Sequence, residues 1–446
     1  MKRSLSMLLV LAMLAMGAFA MVSCETEEEG AGEGTGETGA YGFEGTKELA
    51  AQGAVNATAP AVTGDVSKLK VGVILIGNDQ EGYTKAHIDG ITEAAKALGM
   101  NVDTQIMWKY SIPEDQKVTE NGEQLIAAGC NLIISNSYGH QSFMQELAEK
   151  HANIQFIAMT GDTAASSGLS NLSNAFTKVY ESRYVAGVVA GMKLKELIDG
   201  GKLTKDNYKG DNVKIGYVGA FNFAEVMSGY TAFYLGVKSI VNNVEMDVHF
   251  TDSWYDFDKE KAAAAKLVES GCVIISQHAD SAGAPTAVEE AFNAGKVAYC
   301  VGYNVSMLKV APNSALTSAT NVWSAYYKYA FATAINGGDI ASNWSAGYKE
   351  GAVKITDLGS ACAEGTQAKV DEVIAKLKSG ELNVFDTSKF TVGGKTVTWA
   401  FATDSDGDFA YDRNNVIADG YFHESYVQSA PAFNLRIDGI NWLNKE

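Results

Sequence analysis

The chain has 446 residues, 46% hydrophobic and 20% charged, which excludes a wholly disordered or collagen-like polymer and is enough to bury a sizeable core. Fifty-three Asp and Glu against 35 Lys and Arg leave a formal charge of −18. Such a charge repels phosphate backbones and argues against a nucleic-acid partner.

At the N-terminus Lys2 and Arg3 precede an apolar run over residues 8–22, the pattern of an export signal. An uncleaved anchor helix is the other reading of that run. Met21-Val22-Ser23-Cys24 resembles the lipobox of bacterial lipoproteins, with Met where Leu is usual. Cleavage before Cys24 makes residues 1–23 a signal peptide and places a lipid on Cys24, so that acyl chains anchor an extracytoplasmic protein to a bacterial cell membrane. Residues 24–66 are rich in Glu, Gly, Thr and Ala without hydrophobic period and predict a disordered tether.

Strand and helix patterns then alternate. Residues 70–77 form a β-branched run ending in glycine, followed by a helical pattern over 83–98. A helix ends near Ala128, residues 130–136 read as a second strand, 141–151 as a helix and 154–160 as a third strand. Continuous apolar strands of this kind belong to parallel sheets covered on both faces. The series starts again: Gly216 lies 144 residues after Gly72 and Cys272 lies 142 after Cys130, each in a matching segment, and residues 297–302 repeat the third strand. The expected fold is therefore α/β, with two doubly wound parallel-sheet lobes joined by a hinge. The lobes are expected at 67–178 plus about 316–350, and at 179–315 plus about 351–446 with a C-terminal extension. Cys130, Cys272, Cys300 and Cys362 form no C-x-x-C pair and read as buried free thiols.

Open parallel sheets bind ligands beyond the carboxyl ends of their strands. The loops there, residues 78–83, 136–140, 161–163, 220–226, 277–281 and 303–307, mix aromatic with polar groups. Tyr83, Tyr138, Phe221 and Trp254 offer flat faces to a planar ring, while Asn78, Asn136, Asp162, Asn222, His278, Asp280 and Asn304 can read its edge or a sugar hydroxyl. No Lys or Arg cluster accompanies them, which points away from a phosphorylated ligand. Asp404-Ser405-Asp406-Gly407-Asp408 departs from calcium-loop spacing and reads as a turn, as does Gly393-Gly394. No metal and no cofactor is expected.

Residues 70–98, Tyr180-Glu181-Ser182-Arg183-Tyr184, Ser253-Trp254-Tyr255-Asp256, Gln277-His278-Ala279-Asp280-Ser281, Gly302-Tyr303-Asn304 and Asn321-Val322-Trp323 come in an order that resembles the basic membrane protein family of ABC-transporter substrate-binding lipoproteins, which includes purine-nucleoside receptors. The resemblance covers about residues 70–400. It implies that the two doubly wound lobes are of periplasmic-binding-protein type I and that the protein is monomeric and non-enzymatic, capturing a purine nucleoside or nucleobase for an ABC permease, and it puts Asn321 and Trp323 near the hinge or cleft rim. Two departures weaken a ribose clamp: the family's Asp pair after the first strand reads Asn78-Asp79, and the Asp of its G-x-D loop is Asn304. A simple sugar as ligand, a ligand sensor of the same fold, and a hydrolase using Asp162 and Asp280 are the rival readings.

Overall fold

The computed structural model describes residues 53–401 and 415–445, together with a two-stranded pair at Glu37–Thr38 and Glu44–Gly45. The expected signal peptide, the lipid site at Cys24 and the 404–408 turn lie outside the described residues. Two parallel sheets organise the chain. In the first half β1 (Val71–Ile74), α1 (Gly82–Ala97), β2 (Ile106–Lys109), α2 (Lys117–Ala127), β3 (Leu132–Ser135), α3 (Gln141–Lys150), β4 (Gln155–Met159) and β5 (Leu172–Ala175) follow one another. The second half begins with α4 (Val179–Asp199) and continues through β6 (Asn212–Gly219), α5 (Ala224–Lys238), β7 (Val244–Phe250), α6 (Phe257–Glu269), β8 (Ile274–Gln277), α7 (Gly283–Asn293), β9 (Tyr299–Tyr303) and β10 (Ala315–Asn321). The first sheet runs β5-β4-β3-β1-β2 and the second β10-β9-β8-β6-β7, the same doubly wound order.

The duplication extends to packing. In the first sheet a Cβ at Gly72 would lie 2.9 Å from Ile133 and Leu125; in the second, a Cβ at Gly216 would lie 2.8 Å from Ile275 and 3.1 Å from Leu267. At both positions glycine lets a helix, α2 in the first lobe and α6 in the second, sit close on the central strand. Apolar side chains from both faces fill each lobe, and Val71, Val73, Leu132 and Ile134 in one sheet answer Ile215, Tyr217 and Ile274 in the other.

After β10 the chain returns to the first lobe. There α8 (Trp323–Ile335) packs on α1 and β11 (Asn343–Trp344) extends the sheet beside β5; β12 (Val353–Ile355) then pairs antiparallel with β10. The expected return at about residue 316 is therefore too early, because residues 315–321 hydrogen-bond to β9 in the second sheet. Crossovers at residues 176–178, 322 and 345–352 lie side by side, joined by Lys178 N–H to Ala346 O and Val322 N–H to Ala352 O, both 2.8 Å. Glu181 at their edge accepts the Tyr348 N–H at 2.7 Å, and burial pushes its carboxyl up to about 7.

Two further corrections concern the chain ends. The expected tether runs to residue 66, yet residues 53–66 are docked: Val55 bridges Trp344 as an added strand position, the Trp344 Nε1–H donates to Ala57 O at 2.7 Å, and Asn336 Oδ1 accepts the N–H of Thr63 and of Gly64. Backbone pairing with a sheet edge orders a segment whose composition offers no core. The C-terminal extension does not belong to the second lobe alone. After α9 (Thr366–Ser379), Phe390, Phe433 and Leu435 enter the second lobe's core and β13 (Ile440–Trp442) pairs parallel with β7, but Ala430 packs in the first lobe and Ser429 Oγ–H donates to Gly161 O. Gly393-Gly394 turns the chain with φ of 58° and 76° between the bridged Val392 and Lys395. Cys130, Cys272 and Cys300 are buried free thiols, while Cys362 is only half-buried. Among the described residues no helix is long and apolar enough to cross a membrane.

Candidate functional site

Between the lobes, at the carboxyl ends of their strands, lies a cavity of about 890 Å³. Its walls come from the loops after β1, β3 and β4 on one side and after β6, β7, β8 and β9 on the other, with residues 428–436 and Trp442 completing them. The volume falls in the upper part of the range for small-molecule sites, roughly 300–1,000 Å³.

Aromatic groups dominate both faces. On the second lobe Phe221 stacks on Phe223 at 5.2 Å between centroids and meets Trp254 edge-on at 5.0 Å, so Phe221 backs the two that line the cavity. Tyr138 of the first lobe faces Phe223 across the gap, 6.4 Å away and 35° from parallel, and its hydroxyl donates to Asp162 Oδ2 at 3.1 Å. Tyr83, at the start of α1, donates its hydroxyl to the Asn136 carbonyl and rests edge-on against His87 at 4.6 Å. His87 stacks on Trp323 at 4.4 Å, and burial pushes its imidazole down to about 3, so it is neutral.

Beneath the second lobe's face the polar groups form two chains. In one, Asn321 Nδ2 donates to Asn304 Oδ1 at 3.2 Å and Asn304 Nδ2 to Asp280 Oδ1 at 2.7 Å. Burial, then the nearby Glu81, Glu260 and Glu225, hold the Asp280 carboxyl well above the usual carboxylate range. In the other, His278 Nε2 lies 2.8 Å from Glu225 Oε1 and its Nδ1 lies 3.4 Å from the Tyr217 hydroxyl. Burial and the Coulomb effect of Arg183 push the His278 imidazole down, against the pull of Glu225. The Arg183 guanidinium sits 3.6 Å over the Tyr303 ring and donates to Gln277 O.

Of the residues expected at the site, Tyr83, Asn136, Tyr138, Asp162, Asn222, Trp254, His278 and Asp280 line the cavity. The others stand apart. Asn78 is exposed and caps its own turn by accepting the Gln80 N–H; Phe221, Asn304 and Asn321 form a layer behind the wall; Trp323 is buried beneath His87 and beside Phe176. Glu81, Gln141, Thr160, Phe176 and Glu225 also line the cavity without having been singled out, as do Gln428, Asn434 and Arg436 from the C-terminal segment. The one usable signal was Glu225, an acid in the first turn of the helix that follows β6. Among the described lining residues Glu81, Asp162, Glu225 and Asp280 are set against Arg436 as the one Lys or Arg, an arrangement unsuited to a phosphorylated ligand.

Two α/β lobes with hydrogen-bonded crossovers and an aromatic-walled cleft define a solute-binding protein of the two-lobed type. Solved relatives agree in fold: ABC-transporter solute-binding proteins from Aeropyrum pernix (TM-score 0.58, 17% identity, 71% of this chain and 93% of that one) and Conexibacter woesei (TM-score 0.54, 18% identity, 71% and 98%). Residues 68–388 match the Bmp family, described as PnrA-like ABC transporter substrate-binding proteins, and the chain belongs to that family. It is 31% identical over 319 residues to a purine-binding protein of Brucella abortus, covering 71% of this chain and 83% of the relative. A Haloferax volcanii protein that carries the name of an ABC transporter glucose-binding protein is 26% identical over 60% of this chain and 62% of its own length. ABC substrate-binding proteins work outside the cytoplasm and hand a small molecule to a permease, and the family and fold are those of binding proteins.

Proposed function

We propose that this protein captures a purine nucleoside or nucleobase in the interlobe cleft and delivers it to an ABC importer, acting as a monomer held at the membrane by a lipid on Cys24. The observation that carries this reading is the Tyr138 and Phe223 pair. Two aromatic rings gripping a third need about 7 Å between them, twice the ~3.5 Å of a carbon contact. At 6.4 Å between centroids and from opposite lobes, the two rings lie within the range of direct contact, and a small opening of the lobes parts them to that value. A planar ring seated there touches both lobes at once and shifts the population toward the closed form, the shape a permease recognises. The purine-binding relative at 31% identity supports the same ligand class, and the acidic wall suits a ligand without phosphate.

A neutral sugar is the second reading, favoured by the glucose-binding name of the Haloferax relative. A thermal-shift panel separates the two, since a ligand at ~100 times its Kd adds about 2.7 kcal/mol. Stabilisation by adenosine, guanosine, inosine or their bases, with indifference to glucose and ribose, is the expected result. Stabilisation by sugars alone would overturn the purine assignment.

A further inference from the structure

Four acidic side chains line the cavity, and each has one oxygen engaged. Glu81 takes the Thr84 hydroxyl on Oε2, Asp162 takes that of Tyr138, and Asp280 takes the Asn304 amide. Glu225 is held differently. Its Oε1 meets His278 Nε2 at 2.8 Å, while its Oε2 has no hydrogen-bond partner among the described residues, and the side chain remains 16% exposed in the cavity wall. It also stands two positions after Phe223, so edge reader and stacking face leave the same turn.

Resting on the purine reading above, we propose that Glu225, positioned by His278, selects the ligand by its ring N–H donors, so that the cleft prefers 6-oxopurines (guanine and hypoxanthine types) over 6-aminopurines. A carboxylate only accepts hydrogen bonds. Guanine presents N1–H and N2–H side by side and hypoxanthine presents N1–H, whereas adenine places the N1 lone pair there, which a carboxylate repels. His278 keeps the carboxylate aimed. With Nδ1 turned to the Tyr217 hydroxyl, the imidazole proton resides on Nε2 and points at Glu225. Gly229 makes room for the ring, since a Cβ there would lie 2.8 Å from His278 Nδ1.

Isothermal titration of the full chain with guanosine, inosine and adenosine tests the proposal. The expected order is guanosine, then inosine, then adenosine, with guanosine at least about tenfold tighter than adenosine, the worth of one hydrogen bond to a charged group. Glu225→Gln, whose amide both donates and accepts and so suits an adenine edge, should lose that preference or reverse it with its melting temperature retained. His278→Ala should weaken guanosine more than adenosine, and His278→Gln, which keeps a donor, should restore guanosine. A wild type that binds adenosine as tightly as guanosine, or an E225Q protein that keeps the wild-type order, overturns the proposal and leaves the purine reading standing. Should E225Q not fold, the wild-type order and the His278 pair still decide. Binding of none of these purines would overturn the purine reading itself, and this inference with it.

Discussion

Thr177 Oγ1 donates to Asn321 Oδ1 at 2.5 Å, tying the first crossover to the end of β10 where the second begins. Both residues are buried, and the same Asn321 passes a hydrogen bond to Asn304 and so to Asp280 under the cleft. The hinge and the site floor are thus one hydrogen-bonded chain. Thr177→Val keeps the shape but strips Asn321 of its donor, leaving a buried acceptor unpaired at a cost of about 1–3 kcal/mol. We expect a melting temperature lower by a few degrees and ligand affinity reduced several-fold, read by calorimetry. Unchanged affinity would mean that the crossovers do not govern closure.

The stacking pair gives a second prediction. Tyr138 and Phe223 are 42% and 48% exposed, so neither holds a core together. Base–aromatic stacking is worth roughly 1–3 kcal/mol per face. Phe223→Ala and Tyr138→Ala should each weaken ligand binding by about tenfold or more while the melting temperature of the free protein stays within a degree or two. Phe221→Ala, removed from the wall but packed behind Phe223, should have a smaller effect on binding.

Glu424 carries a pH signature. It is buried where the C-terminal segment passes between the lobes, its Oε1 accepts the Ala432 N–H at 2.8 Å, and burial pushes its carboxyl up to about 8 from 4.5. Between those two values the folded chain holds a proton that the unfolded chain has released, so stability falls as pH rises. The contribution is complete below about 4.5 and lost as pH passes 8. Glu181 and Glu260, each raised to about 7 by burial, act in the same sense; neutral His87 acts oppositely below its ordinary 6.5. Glu424→Gln, an isostere of the protonated acid, should match the wild type near pH 5 and exceed it near pH 9 by on the order of 3 kcal/mol in urea unfolding. A difference that does not grow with pH would show Glu424 ionised in the folded state.

The lobes were legible because each strand is a continuous apolar run and the second series repeats the first at a nearly constant offset, which forces the same sheet order. The cleft followed from strand ends, and the residues read there as aromatic faces, Tyr83, Tyr138 and Trp254, line it. Other features depend on contacts remote in sequence. Residues 53–66 have the composition of a tether, and only their pairing with Trp344 and Asn336 orders them. Gln428 and Arg436 show no period and reach the cavity because Ser429 is held at Gly161, far away in the chain. Asn304 and Asn321 are polar groups beside strand ends like their neighbours, but they turn toward Asp280 and Thr177 instead of the cavity. Glu225 is an acid in the first turn of a helix, where acids are favoured in any case, and only the placement of His278 marks it as part of the site.

The packing of α4 on α5 supports the last prediction. Gly187 and Gly236 face each other there: a Cβ on Gly187 would lie 2.2 Å from the Phe233 carbonyl oxygen, and one on Gly236 would lie 2.1 Å from that of Tyr184. In both cases the obstruction is backbone, which no rotamer change can relieve, so the helices must separate. Arg183 and Glu225 sit at the ends of these two helices nearest the cleft, and separation moves them relative to Tyr303 and His278. Overpacking of this kind costs about 1–3 kcal/mol or more. Gly187→Ala should therefore lower the melting temperature by several degrees and weaken ligand binding, although it lies outside the cavity wall. Gly295→Ala is the control for a backbone effect alone: its φ is 86° and no atom lies within 4 Å of a Cβ there, so it should cost stability without changing affinity. Equal affinity losses in the two variants would show that the α4 and α5 contact does not position the site.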